Sequence, residues 1–326
     1  MIKSTTVNPA NIKFNCLVYG DPGAGKTKFC GDAIFHEKLN KVLFLNFEGG
    51  LLTIAGSGKI EEIKITSTEQ VDSILKDFIE RDPSTVGYNT VVVDSGSELQ
   101  TLALDEQVQE RGEKLAATRA GYIHDKNEIQ RNDYGKATNQ LKKIFRRLRD
   151  MPVNVIMTAL PKSEYGPPIK GSGSDTGPII EVAPNFTRAL RIATIGYFDF
   201  VWYMYKDDST DSPSFGKHCM ITADVNVTKA KTRGMLFSKA LGLNVVDPYL
   251  PDIYDLIIAT EGAAFNANIA TQVSDGGEKK SFFIVPPTIM DNKIVEEVPQ
   301  IMSLSEIPNT LAEAETKSTF FSVVKE

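Results

Sequence analysis

The chain has 326 residues, 41% hydrophobic and 24% charged, a balance that suits a globular core and allows one large domain with appendages. Its formal net charge of −6 excludes a uniformly basic nucleic-acid coat but leaves room for a local basic patch. No apolar run approaches the roughly 18 residues that span a bilayer, MIKSTTVNPANIKF lacks an apolar leader core, and three scattered cysteines make no disulfide framework, so a cytoplasmic protein without a membrane partner is expected.

Taken in chain order, FNCLVY (14–19) reads as a strand, followed by a glycine loop and a helix beginning near Gly25. Gly20-Asp21-Pro22-Gly23-Ala24-Gly25-Lys26-Thr27 fits the phosphate-loop pattern at every fixed position, and Lys28 leads on into the helix. Glycines let backbone N–H groups curl around phosphates, and a helix N-terminus adds a favourable dipole. Lys26 is placed to reach the β- and γ-phosphates and Thr27 to set its hydroxyl on Mg²⁺, so ATP and Mg²⁺ are the expected substrate and cofactor. Cys16 and Cys30 flank this loop and read as core residues.

KVLFLNFE (41–48) is a second strand, EEIKIT (61–66) a shorter one, and residues 68–81 have helical spacing of apolar positions. NTVVVDS (89–95) reads as a buried parallel strand ending in Asp94, the natural acid for the metal's outer shell. Ser95 follows it, where the AAA+ arrangement puts a catalytic Glu. Hydrolysis needs a group to deprotonate water. Glu48 closes the second strand, and neighbouring parallel strands end on one edge, which makes Glu48 the candidate base and Glu98 its alternative. A long polar helical region then leads to VNVIMTA (153–159), a further buried strand with Thr158 near its end.

KSEYGPPIKGSGSDTGP after Pro161 reads as a long mobile loop. FDFVWYMYK (198–206) and KHCMITADV (217–225) are two more strands, and DIYDLIIATE (252–261) a closing helix. The expected fold is therefore α/β, a mainly parallel sheet covered by helices on both faces, over residues 1–262. Residues 263–326 hold nine acids and five bases, net −4, and read as a poorly ordered acidic tail whose end, STFFSVVKE, is a frayed terminus or else a dock for a partner protein; a single-strand-binding protein or other replication protein is an expected partner of the chain. His36, His124 and His218 have no metal-site spacing and read as surface or packing residues.

FLNFEGG and VVVDS resemble the RecA-type placement of a catalytic glutamate and its metal-side Asp, and RNDYGKATNQLKKIFRRLRDMPVNVIMTAL resembles a stretch of bacteriophage RecA-like ATPases, the Sak-type recombination and single-strand annealing group. That resemblance covers about residues 12–262 and implies a RecA-like P-loop core, in phage recombination and in the bacterial host cytoplasm. It further implies that Lys231 and Arg233 of KAKTRG reach a neighbouring subunit's nucleotide in a ring or filament, since helicase and RadA branches carry such a Lys-x-Arg pair. RecA-type proteins place a polar sensor, often Gln or His, where this chain has Thr158-Ala159-Leu160; Thr158 takes that position.

Residues 109–149 carry eleven Lys/Arg against five Asp/Glu, a local +6, and in the helix at 136–149 Lys142, Lys143, Arg146, Arg147 and Arg149 lie off the apolar face of Leu141, Ile144, Phe145 and Leu148. Lys142 and Arg146 are thus candidate contacts for single-stranded DNA. Lys162, Tyr165 and Lys170, in the loop after the sensor strand, are the better-placed ones. The leading expectation is an oligomeric Mg²⁺-dependent ATPase acting on single-stranded DNA in recombination, annealing or repair. The alternatives are a hexameric helicase or helicase loader on the same core, and an ATP-dependent switch or scaffold with weak hydrolysis.

Overall fold

The computed structural model describes residues 13–57, 60–81, 87–125, 127–168 and 176–273, with two short paired segments at 289–290 and 293–294. The chain forms two compact units, one of Lys13–Arg233 and Gly242–Pro251, the other of Met1–Ile12, Gly234–Leu241 and Asp252–Glu326.

The first unit is built on strands β1 (Asn15–Gly20), β2 (Val42–Asn46), β3 (Ile60–Lys64), β4 (Thr90–Asp94), β5 (Asn154–Ala159), β6 (Pro161–Tyr165), β7 (Ile179–Pro184), β8 (Phe200–Lys206), β9 (His218–Ile221), β10 (Lys231–Thr232) and β11 (Asn244–Val246). Its main sheet runs β11-β9-β8-β1-β5-β4-β2-β3, with β10 also on β8. From β3 across to β8 every pairing is parallel; β9, β10 and β11 join antiparallel. This is the α/β core, a mainly parallel sheet carrying a phosphate loop, that the sequence implies. Every residue of β1, β2, β4 and β5 is buried, which is why these runs are continuously apolar rather than alternating. β3, at the edge, reads IEEIK with its two glutamates exposed.

Helices α1 (Lys26–Gly31), α2 (Thr68–Glu80), α3 (Gly96–Thr118), α4 (Arg131–Arg149) and α5 (Arg188–Tyr197) connect the strands. α2 starts where Ser67 accepts a hydrogen bond from the Gln70 N–H, and it buries Val71, Leu75 and Phe78 at helical spacing. α4 turns Leu141, Ile144, Phe145 and Leu148 inward, the face its periodicity sets. Together with Leu17, Leu45, Val93 and Met157 they form one apolar core beneath the strand ends that carry the site.

Three stretches differ from their sequence reading. The polar helical region after β4 is two helices, and α4 begins at Arg131 because Gln130 and Asp133 cap it reciprocally. Its first turn has little apolar character, so periodicity reveals it only from about residue 136. The loop expected after Pro161 contains the antiparallel pair β6–β7, held by Arg191, which ion-pairs with Glu164 on one strand at 2.9 Å and Glu181 on the other at 2.5 Å. Composition dense in Gly and Pro hid a hairpin whose long-range charge clamp no local pattern reveals; residues 169–175, with Lys170, lie outside the described residues. The closing helix read at 252–261 is longer: α7 spans Leu250–Val273, with Pro251 in its first turn.

α7 belongs mainly to the second unit, together with α6 (Met235–Leu241), where the Phe237 N–H donates to the Glu261 carboxylate at 3.1 Å. The expected disordered tail beyond it lies outside the described residues, apart from the two-residue ladder β12 (Ile289–Met290) and β13 (Lys293–Ile294).

Tyr19, fully buried on β1, fixes the base of the hairpin. Its hydroxyl faces the Lys229 carbonyl at 2.6 Å and the Val182 carbonyl at 3.2 Å, tying the strand before the phosphate loop to β7 and to the segment before β10. Tyr19→Phe keeps the ring and leaves two carbonyls without that donor, so the urea midpoint should fall by the equivalent of about 1–3 kcal/mol with the slope unchanged.

Candidate functional site

The phosphate loop leaves β1 at the carboxyl edge of the sheet. Gly20 lies directly against β8: a Cβ there would sit 2.0 Å from the Met204 carbonyl oxygen. Gly25, the N-cap of α1, has φ 91°, and a Cβ on it would press on the His218 ring at 3.3 Å. The Ala24 N–H closes the turn onto the Asp21 carbonyl at 3.1 Å. Lys26 curls back over the loop, its Nζ donating to the Gly20 and Asp21 carbonyls at 2.7 and 2.9 Å. Burial holds the Lys26 ammonium below its usual pKa, opposed by the negative charges of Asp94, Glu48 and Asp21. The Lys28 side chain turns to Asp32 one turn on, so what Lys28 offers a phosphate is its backbone N–H in the first turn of α1.

Asp94 ends β4 two strands away and is only 6% exposed. Thr27 Oγ1 donates to one of its oxygens at 3.1 Å, and Thr158 Oγ1, from β5, donates to the other. The Phe47 N–H donates to the Asp94 carbonyl at 2.9 Å, which pulls the end of β2 alongside. Two residues past β2, the Glu48 carboxylate accepts the Ser95 hydroxyl proton. Lys26, Thr27, Glu48, Asp94 and Thr158 are therefore gathered on one edge, from four different segments. Glu98 lies in the first turn of α3, its N–H donating to Ser95 Oγ at 3.4 Å.

Among the described residues no group of three or more His, Cys, Asp or Glu could cage a metal. Mg²⁺ does not need one: it keeps waters and phosphate oxygens and takes only one or two protein ligands, all hard oxygens. The Thr27 hydroxyl and the Asp94 carboxylate, side by side beneath the loop, fit that demand.

Lys231 and Arg233 are not part of this cluster. β10 pairs with Phe200 and Val201 at the start of β8, whereas Gly20 pairs with Met204, so the pair sits about 10 Å back along the strand, toward the opposite edge. There Lys231 Nζ donates to the Ile195 and Phe198 carbonyls at 2.5 and 2.7 Å, and Arg233 ion-pairs with Asp199, both closing the C-terminal end of α5. Burial, and then the neighbouring Arg233, lower the Lys231 pKa.

The basic residues of α4 are only partly free. Arg146 donates to the Tyr197 hydroxyl at 3.0 Å and lies over its ring, Arg147 pairs with Asp72, and Arg149 pairs with Asp150, while Lys142 is half-buried. On the hairpin, Lys162 is exposed and Tyr165 is 55% exposed, opposite the exposed Ile179.

Three residues at the site escaped sequence reasoning. Asn46 accepts the Glu48 and Gly49 N–H groups at 3.2 and 2.8 Å and so shapes the turn that carries Glu48; a polar residue closing an apolar run was the available signal. Tyr203 hydrogen-bonds Asp21, and burial followed by that acid raises its pKa. His218, on β9, rests against Gly25 with its buried Nδ1 lacking a hydrogen-bond partner, a placement nothing in the local sequence announces. The cysteines are all buried, and burial pushes the Cys16 and Cys30 thiols well above their usual range.

A sequence profile described as an AAA domain matches residues 12–234. Among solved structures, the crystal structure of the RadB recombinase is similar at 11% identity and a TM-score of 0.31, over 64% of this chain and 79% of that one. No curated protein matches the chain significantly. No helix among the described residues is long and apolar enough to cross a membrane.

Because Lys231 closes α5, its loss should register on the isolated fold. Lys231→Ala is expected to lower thermal stability by about 1–2 kcal/mol, measured by calorimetry at low protein concentration.

Proposed function

From a chain that belongs to the AAA domain family and carries a complete phosphate loop, we propose Mg²⁺-dependent ATP hydrolysis, used on single-stranded DNA in recombination or annealing. The observation that carries this reading is the meeting of Lys26, Thr27, Glu48, Asp94 and Thr158 at the loop. The Lys26 ammonium, now spread over two loop carbonyls, exchanges them for β- and γ-phosphate oxygens and stabilises charge there. Thr27 and Asp94 would hold Mg²⁺, which when bound neutralises charge on those oxygens. Thr158 fixes the Asp94 carboxylate from below. Glu48 takes the proton of the attacking water.

Lys231 and Arg233 lie outside this chain's own cluster, and in our reading they complete the site of a neighbouring subunit in a ring or filament, where a cation pair near the γ-phosphate stabilises the transition state. For the DNA we favour the β6–β7 hairpin over α4. Tyr165 offers an exposed ring for base stacking and Lys162 a charge for phosphate, whereas Arg146, Arg147 and Arg149 already have partners within the chain.

Lys26→Ala is expected to weaken ATP retention by about 100-fold, and Glu48→Gln to keep binding while slowing turnover by about 10²- to 10⁴-fold. Single-stranded DNA should raise the ATPase rate of the parent protein. Tyr165→Ala should weaken DNA binding by about 1–3 kcal/mol, read by fluorescence anisotropy on a labelled oligonucleotide. An ATPase rate indifferent to DNA, together with no oligonucleotide binding, would remove the DNA part of the proposal and leave the nucleotide part standing.

A further inference from the structure

Ser95 occupies the place after the metal-side Asp where an AAA+ chain carries its base, and it does a different job there. Its Oγ is the N-cap acceptor of α3, taking the Glu98 N–H at 3.4 Å. With that lone pair engaged, the single hydroxyl proton is directed at the Glu48 carboxylate, which accepts it. Ser95 itself is 2% exposed, so water does not compete effectively for that proton. On the other side, Asn46 Oδ1 takes the Glu48 and Gly49 N–H groups, and its Nδ2 donates to Glu62 at 2.9 Å. The main chain of Glu48 is thus held from β2 and its carboxylate from the head of α3.

We propose that Ser95 is the positioning residue for the Glu48 carboxylate, setting it at the loop with the hydroxyl that caps α3. Serine at this position moves the base one strand over, from β4 to the end of β2, and turns the vacated position into its orienting donor. A base held only by a flexible turn samples many orientations, and small displacements of a reacting group are costly in rate.

The inference rests on reading Glu48 as the base, and the test separates the two. Steady-state MgATP hydrolysis is measured for the full chain and for Glu48→Gln, Ser95→Ala, Ser95→Gly, Ser95→Thr and the pair Ser95→Ala/Glu48→Gln. Ser95→Ala is expected to lower kcat by about 10- to 100-fold with KM within about twofold. Ser95→Gly, which preserves helix capping nearly as well as serine while removing the hydroxyl, should show the same loss with an unchanged melting temperature. Ser95→Thr returns the hydroxyl and should return kcat to within about threefold of the parent. In the pair, Ser95→Ala should add almost nothing to Glu48→Gln, because the two act as one unit. Parent-like kcat in Ser95→Gly while Glu48→Gln is inactive would overturn the positioning role and leave the base in place. Parent-like turnover in Glu48→Gln would remove the base itself, and the proposal with it.

Discussion

A carboxylate buried in a protein interior must be hydrogen-bonded or paired, and Asp94 meets that demand with two hydroxyls from different segments. Thr27 belongs to the helix that the phosphate loop begins, Thr158 to the strand next to β4. Both donate to the same carboxylate, so the positions of α1, β4 and β5 are set by one acid. The parallel register does the rest: Asp94 lies level with Asn46 of β2, and Gly20 with Met204 of β8. Because all these strands run the same way, their polar ends arrive together, and the apolar runs behind them supply the core on which that edge is built.

In the proposed reading the base stands beyond β2, and that placement has a structural consequence. A base that directly followed Asp94 would be aimed by β4 itself, a fully buried strand. Glu48 instead sits in a turn, between Phe47 and two glycines, and a turn of that composition offers little rigidity. Rigidity comes from outside it, through the Asn46 amide, the Asp94 carbonyl and the Ser95 hydroxyl. The site is a set of short, soft segments, each pinned by a neighbour from the next strand.

Much of this was legible in the sequence, for physical reasons that differ by element. Strands buried on both faces are apolar throughout, so FNCLVY, KVLFLNFE, NTVVVDS and VNVIMTA announced themselves, and the glycine loop could be placed between a strand and a helix. The convergence of Glu48 with Asp94 followed from parallel topology alone. What stayed hidden depends on partners distant in sequence: Arg191 clamping β6 to β7, Asp133 capping α4 while pairing with Arg111, and His218 resting on Gly25 from almost two hundred residues away. Local composition carries none of these. It pointed the wrong way for the hairpin, where glycine and proline outside the strands outweighed the short paired runs.

Lys231 and Arg233 pose a question of competition. In the single chain, Lys231 satisfies two carbonyls at the end of α5 and Arg233 neutralises Asp199, so neither cation is idle. Arg233 is exposed with its partner at the surface, and such a pair is worth little and is readily exchanged. Lys231 is more deeply held, and withdrawing it would leave helix-end carbonyls without a donor. In the proposed trans site, a neighbouring subunit's triphosphate would offer several strong acceptors to the exchangeable arginine first. The lysine would then follow only if the approaching subunit resupplied the α5 carbonyls or tolerated their loss. In a trans site built this way, Arg233 would reach the phosphates first and Lys231 second, each giving up its partners at the end of α5.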